Sequence, residues 1–172
     1  MEECVKLGLA KSIGVSNFSC KKIQELLSFA NIPPAVNQVE LNPVWQQKKL
    51  VDLCKANGTV VSGYSPLGSA GQVWVNDKVV GIQALKDIAK AKGKSVPQVI
   101  LRWMHQLGVI VVAKTFTLKR MEENSDIFDW ELSEEDCNKI SEIPQSRGNT
   151  GDFYVSEEGA TKSVEQLWDG EI

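Results

Sequence analysis

The chain has 172 residues, 42% hydrophobic and 24% charged, enough for one sizeable core and too few for two full-sized domains. Lys and Arg number 19 against 22 Asp and Glu, a net charge of −3, without the basic surplus that general nucleic-acid binding needs. The longest aliphatic run, Val109 to Ala113, falls far short of the roughly 18 residues of a membrane span, and Met1-Glu2-Glu3-Cys4 lacks signal-peptide character, so no nucleic-acid or membrane partner and a cytoplasmic address are expected.

Cys4, Val5 and Leu7 ahead of Gly8 form a short helix signal, and Ser12 to Ser16 reads as a buried strand. Ser19 is placed to cap a helix whose apolar positions are Ile23, Leu26, Leu27 and Ala30, ending at Pro33-Pro34. A second strand runs from Ala35 to Leu41, before Asn42-Pro43. A helix from about Gln46 to Ala56 stops at Asn57-Gly58, and Thr59 to Tyr64 forms a third strand. Ala70 to Lys78 reads as a long loop. Two helices follow, one burying Ile82, Leu85, Ile88 and Ala89, the next Val96, Val99, Ile100, Trp103 and Leu107. The turn between them, Gly93-Lys94-Ser95, lacks the earlier glycine and the preceding strand of a P-loop. Val109 to Ala113 is the fourth strand. Short helices are predicted over about Leu118 to Asn124 and after Ser133, where Ser133-Glu134-Glu135-Asp136 resembles a capping box. The tail from Ile143 onward reads as a loop.

Strands alternating with helices predict a parallel α/β sheet, and four such units amount to half of a (β/α)₈ TIM barrel, an incomplete barrel with open edges at its first and fourth strands. One domain is expected over 1–172. The cysteines Cys4, Cys20, Cys54 and Cys137 form no C-x-x-C pair, and His105 is the single histidine, so no metal site is expected.

Polar residues gather where each strand stops: the first ends in Ser16-Asn17, the second carries Gln38 and ends in Asn42, the third ends in Tyr64-Ser65 and the fourth in Lys114-Thr115. In a parallel array these ends share the side on which ligands bind. Lys114, Thr115, Thr117 and Arg120 lie between a strand and a helix N-terminus, a combination suited to phosphate. The other reading has Thr117 as a helix cap with Lys114 and Arg120 merely solvated. Gly68 and Ser69 can offer donors to a second phosphate, and Tyr64 can offer a flat face to an aromatic ring or serve as packing. No G-x-G-x-x-G occurs.

Gly14-Val15-Ser16-Asn17-Phe18, Asn37-Gln38-Val39-Glu40-Leu41-Asn42-Pro43, Tyr64-Ser65-Pro66-Leu67-Gly68 and Lys114-Thr115-Phe116, in this order, resemble the aldo-keto reductase family. Trp45 to Leu50 and the terminal Leu167 to Ile172 are similar to plant members related to chalcone reductase and methylecgonone reductase. The resemblance implies a TIM barrel using NADPH to reduce small aldehyde and ketone substrates. Ser16, Asn17 and Gln38 would then bind the nicotinamide carboxamide and Tyr64 would stack on its ring. Ser65, Leu67 and Ser69 would line the pyrophosphate. Lys114, Thr115, Thr117 and Arg120 would hold the adenosine 2′-phosphate, with Phe116, Glu123 and Asn124 near the adenine. Gln145 to Tyr154 corresponds to the carboxy-terminal loop that shapes the family's substrate pocket.

The family's catalytic Asp, Tyr, Lys and His match nothing here; Tyr64, Tyr154 and His105 stand in other contexts. The resemblance therefore implies no catalytic residue in this chain and little activity from it alone. The alternative is a non-catalytic NADPH-binding or interaction module, self-associating through its open edges. A flavin or sugar-phosphate half barrel would suit the phosphate site but not the carboxamide set.

Overall fold

The computed structural model describes residues 1–68 and 79–171. The elements are α1 (Glu2–Lys6), β1 (Gly14–Ser16), α2 (Cys20–Phe29), β2 (Val36–Glu40), α3 (Lys48–Ala56), β3 (Val60–Tyr64), α4 (Gln83–Lys92), α5 (Val96–Gln106), β4 (Ile110–Val112), α6 (Leu118–Ser125), α7 (Glu134–Ser141), a 3-10 turn at Asp152–Tyr154 and α8 (Val164–Leu167). The strands form an open sheet in the order β1-β2-β3-β4, parallel where β1 meets β2 and where β3 meets β4. Each strand is a residue or two shorter than its apolar run, because laddering stops where the chain begins to turn.

The chain divides into two compact units. The first holds residues 1–39, 47–61 and 149–172, the second 40–46 and 62–148, so β2 and β3 contribute to both. In the first, Ile23, Val39, Leu50, Cys54 and Val61 are buried. Thr59 donates its hydroxyl to Pro34 O at 2.9 Å, and Glu2 accepts the backbone N–H groups of Asn31 and Ile32, tying α1 to the end of α2. In the second, Leu85, Ile88 and Ala89 of α4 and Val99, Ile100, Leu101, Trp103 and Met104 of α5 make the core with Leu41, Val109, Ile127 and Ile140.

Three helix starts follow the capping chemistry in the sequence. Ser19 accepts from Lys22 N, while Ser95 with Gln98 and Ser133 with Asp136 form full reciprocal boxes. Gly93 ends α4 at φ 63, so Gly93-Lys94-Ser95 is the helix-linking turn its sequence suggests.

Leu107, expected in the core, is exposed, because α5 ends at Gln106 and Leu107 is its C-cap. α2 ends at Phe29, ahead of the prolines, with Ala30 as its C-cap. The tail is also more than a loop: it holds the 3-10 turn and α8, whose start Ser163 caps by accepting from Gln166 N at 3.0 Å. The predicted loop at 70–78, with Trp74, and Ser69 lie outside the described residues.

Candidate functional site

In the first unit, β1 and β2 pair with Ser16 opposite Gln38. The Ser16 hydroxyl donates to the Gln38 backbone carbonyl at 2.9 Å, and the Asn17 N–H donates to the same oxygen at 2.9 Å. Asn17 takes φ 58, a left-handed conformation that Asn adopts more readily than most residues. The structure thus brings Ser16, Asn17 and Gln38 together, all three exposed. Ser16 has given its one proton to the backbone, so toward a ligand its oxygen can only accept. That suits the NH₂ of a carboxamide.

A residue the sequence reading overlooked underlies this turn. Asn37, fully buried, donates its amide to Phe18 O at 3.0 Å and accepts from Phe18 N at 3.4 Å. The signal was present: an amide inside a strand flanked by Val36 and Val39 needs a buried partner.

In the second unit, β3 and β4 pair with Tyr64 opposite Val112. Tyr64, Ser65 and Leu67 are half-buried. Asn42, fully buried, steadies this strand end: its Nδ2 donates to Ser65 O at 3.4 Å, and Leu41 N donates to Tyr64 O at 3.1 Å. Ser65 takes φ 51, and the turn closes with Gly68 N bonded to Ser65 O at 2.9 Å. A Cβ on Gly68 would stand 2.3 Å from Val79 Cγ2, so glycine is needed there for space as well as for its φ of 69.

Beyond β4, Lys114, Phe116, Thr117 and Arg120 are exposed, and Thr115, Glu123 and Asn124 half-buried. Thr117 is the N-cap of α6 by position, but its side chain makes no capping bond; its N–H donates to Thr115 Oγ1 at 3.2 Å. The cap reading of the Thr117 hydroxyl therefore fails. Lys114 Nζ lies 4.2 Å from the Phe116 ring centre, a cation–π pair the sequence reading did not anticipate. Lys114, Thr115 and Asn124 share one groove of about 920 Å³ along β4, between α5 and α6, lined also by His105, Met121 and Phe128. Tyr64, Ser65, Leu67, Phe116, Thr117, Arg120 and Glu123 are not part of its lining. His105 sits on α5 with its ring edge-on to Phe128, 5.2 Å between centres.

The tail splits between the units. Gln145 accepts from Gln46 N at 2.6 Å and donates to Pro43 O at 3.0 Å, and Arg147 lies 4.4 Å over Trp45, all within the second unit. Phe153 and Tyr154, in the first unit, are exposed and lie against each other with ring centres 4.1 Å apart. Among the described residues no cluster of His, Cys, Asp or Glu could hold a metal, and no helix is long and apolar enough to cross a membrane.

An aldo-keto reductase of Citrus sinensis named for (1S)-1,7-diacetoxy-luvungin A is 57% identical over 172 residues, 100% of this chain and 54% of that protein. Deoxymugineic acid synthase 1 of Zea mays is 59% identical, over 100% of this chain and 55% of its own length. The chain thus spans about half the length of the curated relatives it matches. Among solved structures, an aldo-keto reductase of the silkworm, Bombyx mori, superposes with a TM-score of 0.84 at 35% identity, covering 94% of this chain and 50% of that one. An aldo-keto reductase complexed with NADPH superposes at 0.79 with 39% identity, over 86% of this chain and 46% of that one. Residues 1–145 match the pattern of the Aldo/keto reductase family, and the chain belongs to that family.

Proposed function

We propose that this chain is the nucleotide-binding portion of an NADPH-dependent reductase of small aldehydes or ketones. What carries the reading is that Lys114, Thr115, Thr117 and Arg120 fall together along the chain at the start of α6, two exposed cations and two hydroxyls beside the first-turn N–H groups that a helix leaves without intrahelical partners. That donor set fits the 2′-phosphate which separates NADPH from NADH. Ser16, Asn17 and Gln38 would hold the carboxamide, Tyr64 the ring, and Ser65, Leu67 and Ser69 the pyrophosphate; Phe116, Glu123 and Asn124 would lie by the adenine. Bound there, NADPH would supply a hydride to the carbonyl carbon.

The chain's own residues orient the nucleotide. Ser16 accepts from the carboxamide, since its proton already belongs to Gln38 O. Lys114 and Arg120 neutralise the phosphate. None of the residues assigned by the resemblance is a proton donor to the nascent alkoxide, so the 172-residue chain binds cofactor but turns over poorly. Free thiols at Cys4, Cys20, Cys54 and Cys137 support a reducing, cytoplasmic address.

Fluorescence titration of the chain with NADPH and with NADH tests the reading. NADPH binds more tightly, and Arg120→Ala weakens it about tenfold, the worth of one charge-assisted hydrogen bond, while leaving NADH little changed. Equal affinity for the two nucleotides overturns the phosphate assignment. Rapid reduction of a reactive aldehyde by the chain overturns the absence of a proton donor.

A further inference from the structure

The first turn of α2 has the wrong charge for a helix start. It carries no acid and contains Lys21 and Lys22, whose charges oppose the partial positive charge of the helix N-terminus. Its N3 position holds Lys22, so the reciprocal cap that Gln98 and Asp136 give to α5 and α7 is unavailable.

The missing acids come from the far end of the chain. Asp169 Oδ2 accepts the Ser19 hydroxyl at 2.6 Å and pairs with Lys22 Nζ, while Lys21 Nζ stands 3.7 Å from Oδ1. Lys22 also donates to Leu167 O at 2.8 Å. Glu171 accepts the Cys20 N–H with its two oxygens, at 3.0 and 3.2 Å. Asp169 takes φ 54, a left-handed conformation whose cost these bonds must cover, and Gly170 follows at φ 80.

We propose that Asp169, through Ser19 and Lys22, is a positioning residue for the Asn17 turn. The inference rests on the nucleotide reading above for its purpose, though not for its geometry. Ser16 is fixed by its register with Gln38, and Ser19 is fixed by Asp169. Only Asn17 and Phe18 lie between, with Asn37 bracketing Phe18 from β2. Two residues between fixed ends have little freedom, so Asn17 keeps its strained φ and its place beside Ser16 and Gln38. Released from Asp169, the start of α2 frays and the turn relaxes.

Asp169→Asn tests this while keeping a residue that accepts the left-handed conformation. Amide hydrogen exchange at Asn17 to Cys20 speeds up about tenfold, as loss of one charge-assisted hydrogen bond implies, with exchange at Ile110 to Val112 unchanged. NADPH affinity falls several-fold, and affinity for 2′,5′-ADP, which has the phosphates but no nicotinamide, stays the same. Lys22→Met reproduces both effects and Lys22→Arg restores them. Unchanged exchange at Asn17 to Cys20, or an equal loss of affinity for both nucleotides, overturns the positioning role. A wild-type chain that binds neither nucleotide overturns the nucleotide reading instead, and the exchange rates still decide whether Asp169 holds the turn.

Discussion

Cys20 shows what the neighbourhood of Asn17 does to chemistry. Burial pushes its thiol up to about 12, and the adjacent Glu171 carboxylate adds to the effect. Only ~10⁻⁴ of it is thiolate at about pH 8, and the thiolate is the reactive form. Iodoacetamide footprinting therefore finds Cys20 protected in the folded chain, its rate rising about tenfold per pH unit through the alkaline range. Rapid labelling at neutral pH would contradict that burial. Asp169 shows the opposite balance: burial works against its charge, but Lys22 and Ser19 outweigh it and hold the carboxyl below its usual range. Its contribution to stability is thus present above the ordinary carboxylate pKa and lost as pH falls through the lowered one. At this scale the sequence was informative about exposed polar groups, because Ser16 and Asn17 stand where β1 stops and Gln38 interrupts the apolar run of β2. It was silent on Asp169 and Glu171, whose roles depend on partners about 150 residues away.

Gly63 lets α5 lie close against β3. A Cβ on Gly63 would stand 2.4 Å from Met104 Cε, 3.1 Å from Leu41 Cβ and 3.3 Å from Val109 Cγ1. Met104 can swing aside, but the Leu41 and Val109 atoms sit close to backbone. Gly63→Ala is expected to cost about 1–3 kcal/mol by overpacking, measured by urea denaturation. A neutral result would mean that α5 shifts freely over the strand. The elements themselves were mostly legible, since Ser19, Ser95 and Ser133 announce their helices and β-branched runs announce the strands. The tail was misread as structureless because α8 has a single turn, too short for a periodic apolar face. Its cap could have been found: Ser163 stands three residues before Gln166, the spacing of a capping box.

For the whole molecule, the sheet ends at β1 and β4, and β4 presents Ile110 and Val112 at 51% and 41% exposure. An uncharged apolar edge strand is a template for pairing with another chain. Sedimentation is expected to show concentration-dependent association, reduced by Ile110→Lys, since a charge on the edge opposes a second strand. A chain that stays monomeric throughout the accessible range would show the edge to be protected by its own groove. The interleaving of the two units has a further consequence during synthesis, which proceeds from the amino terminus. The second unit is complete once residue 148 has emerged, whereas the first still lacks 149–172. Ser19, Cys20 and Lys22 must wait for Asp169 and Glu171, which lie 147 to 151 residues further along the chain. Within this segment the unit begun earlier is finished later, and loss of 149–172 would strip Ser19, Cys20 and Lys22 of partners far upstream of the break.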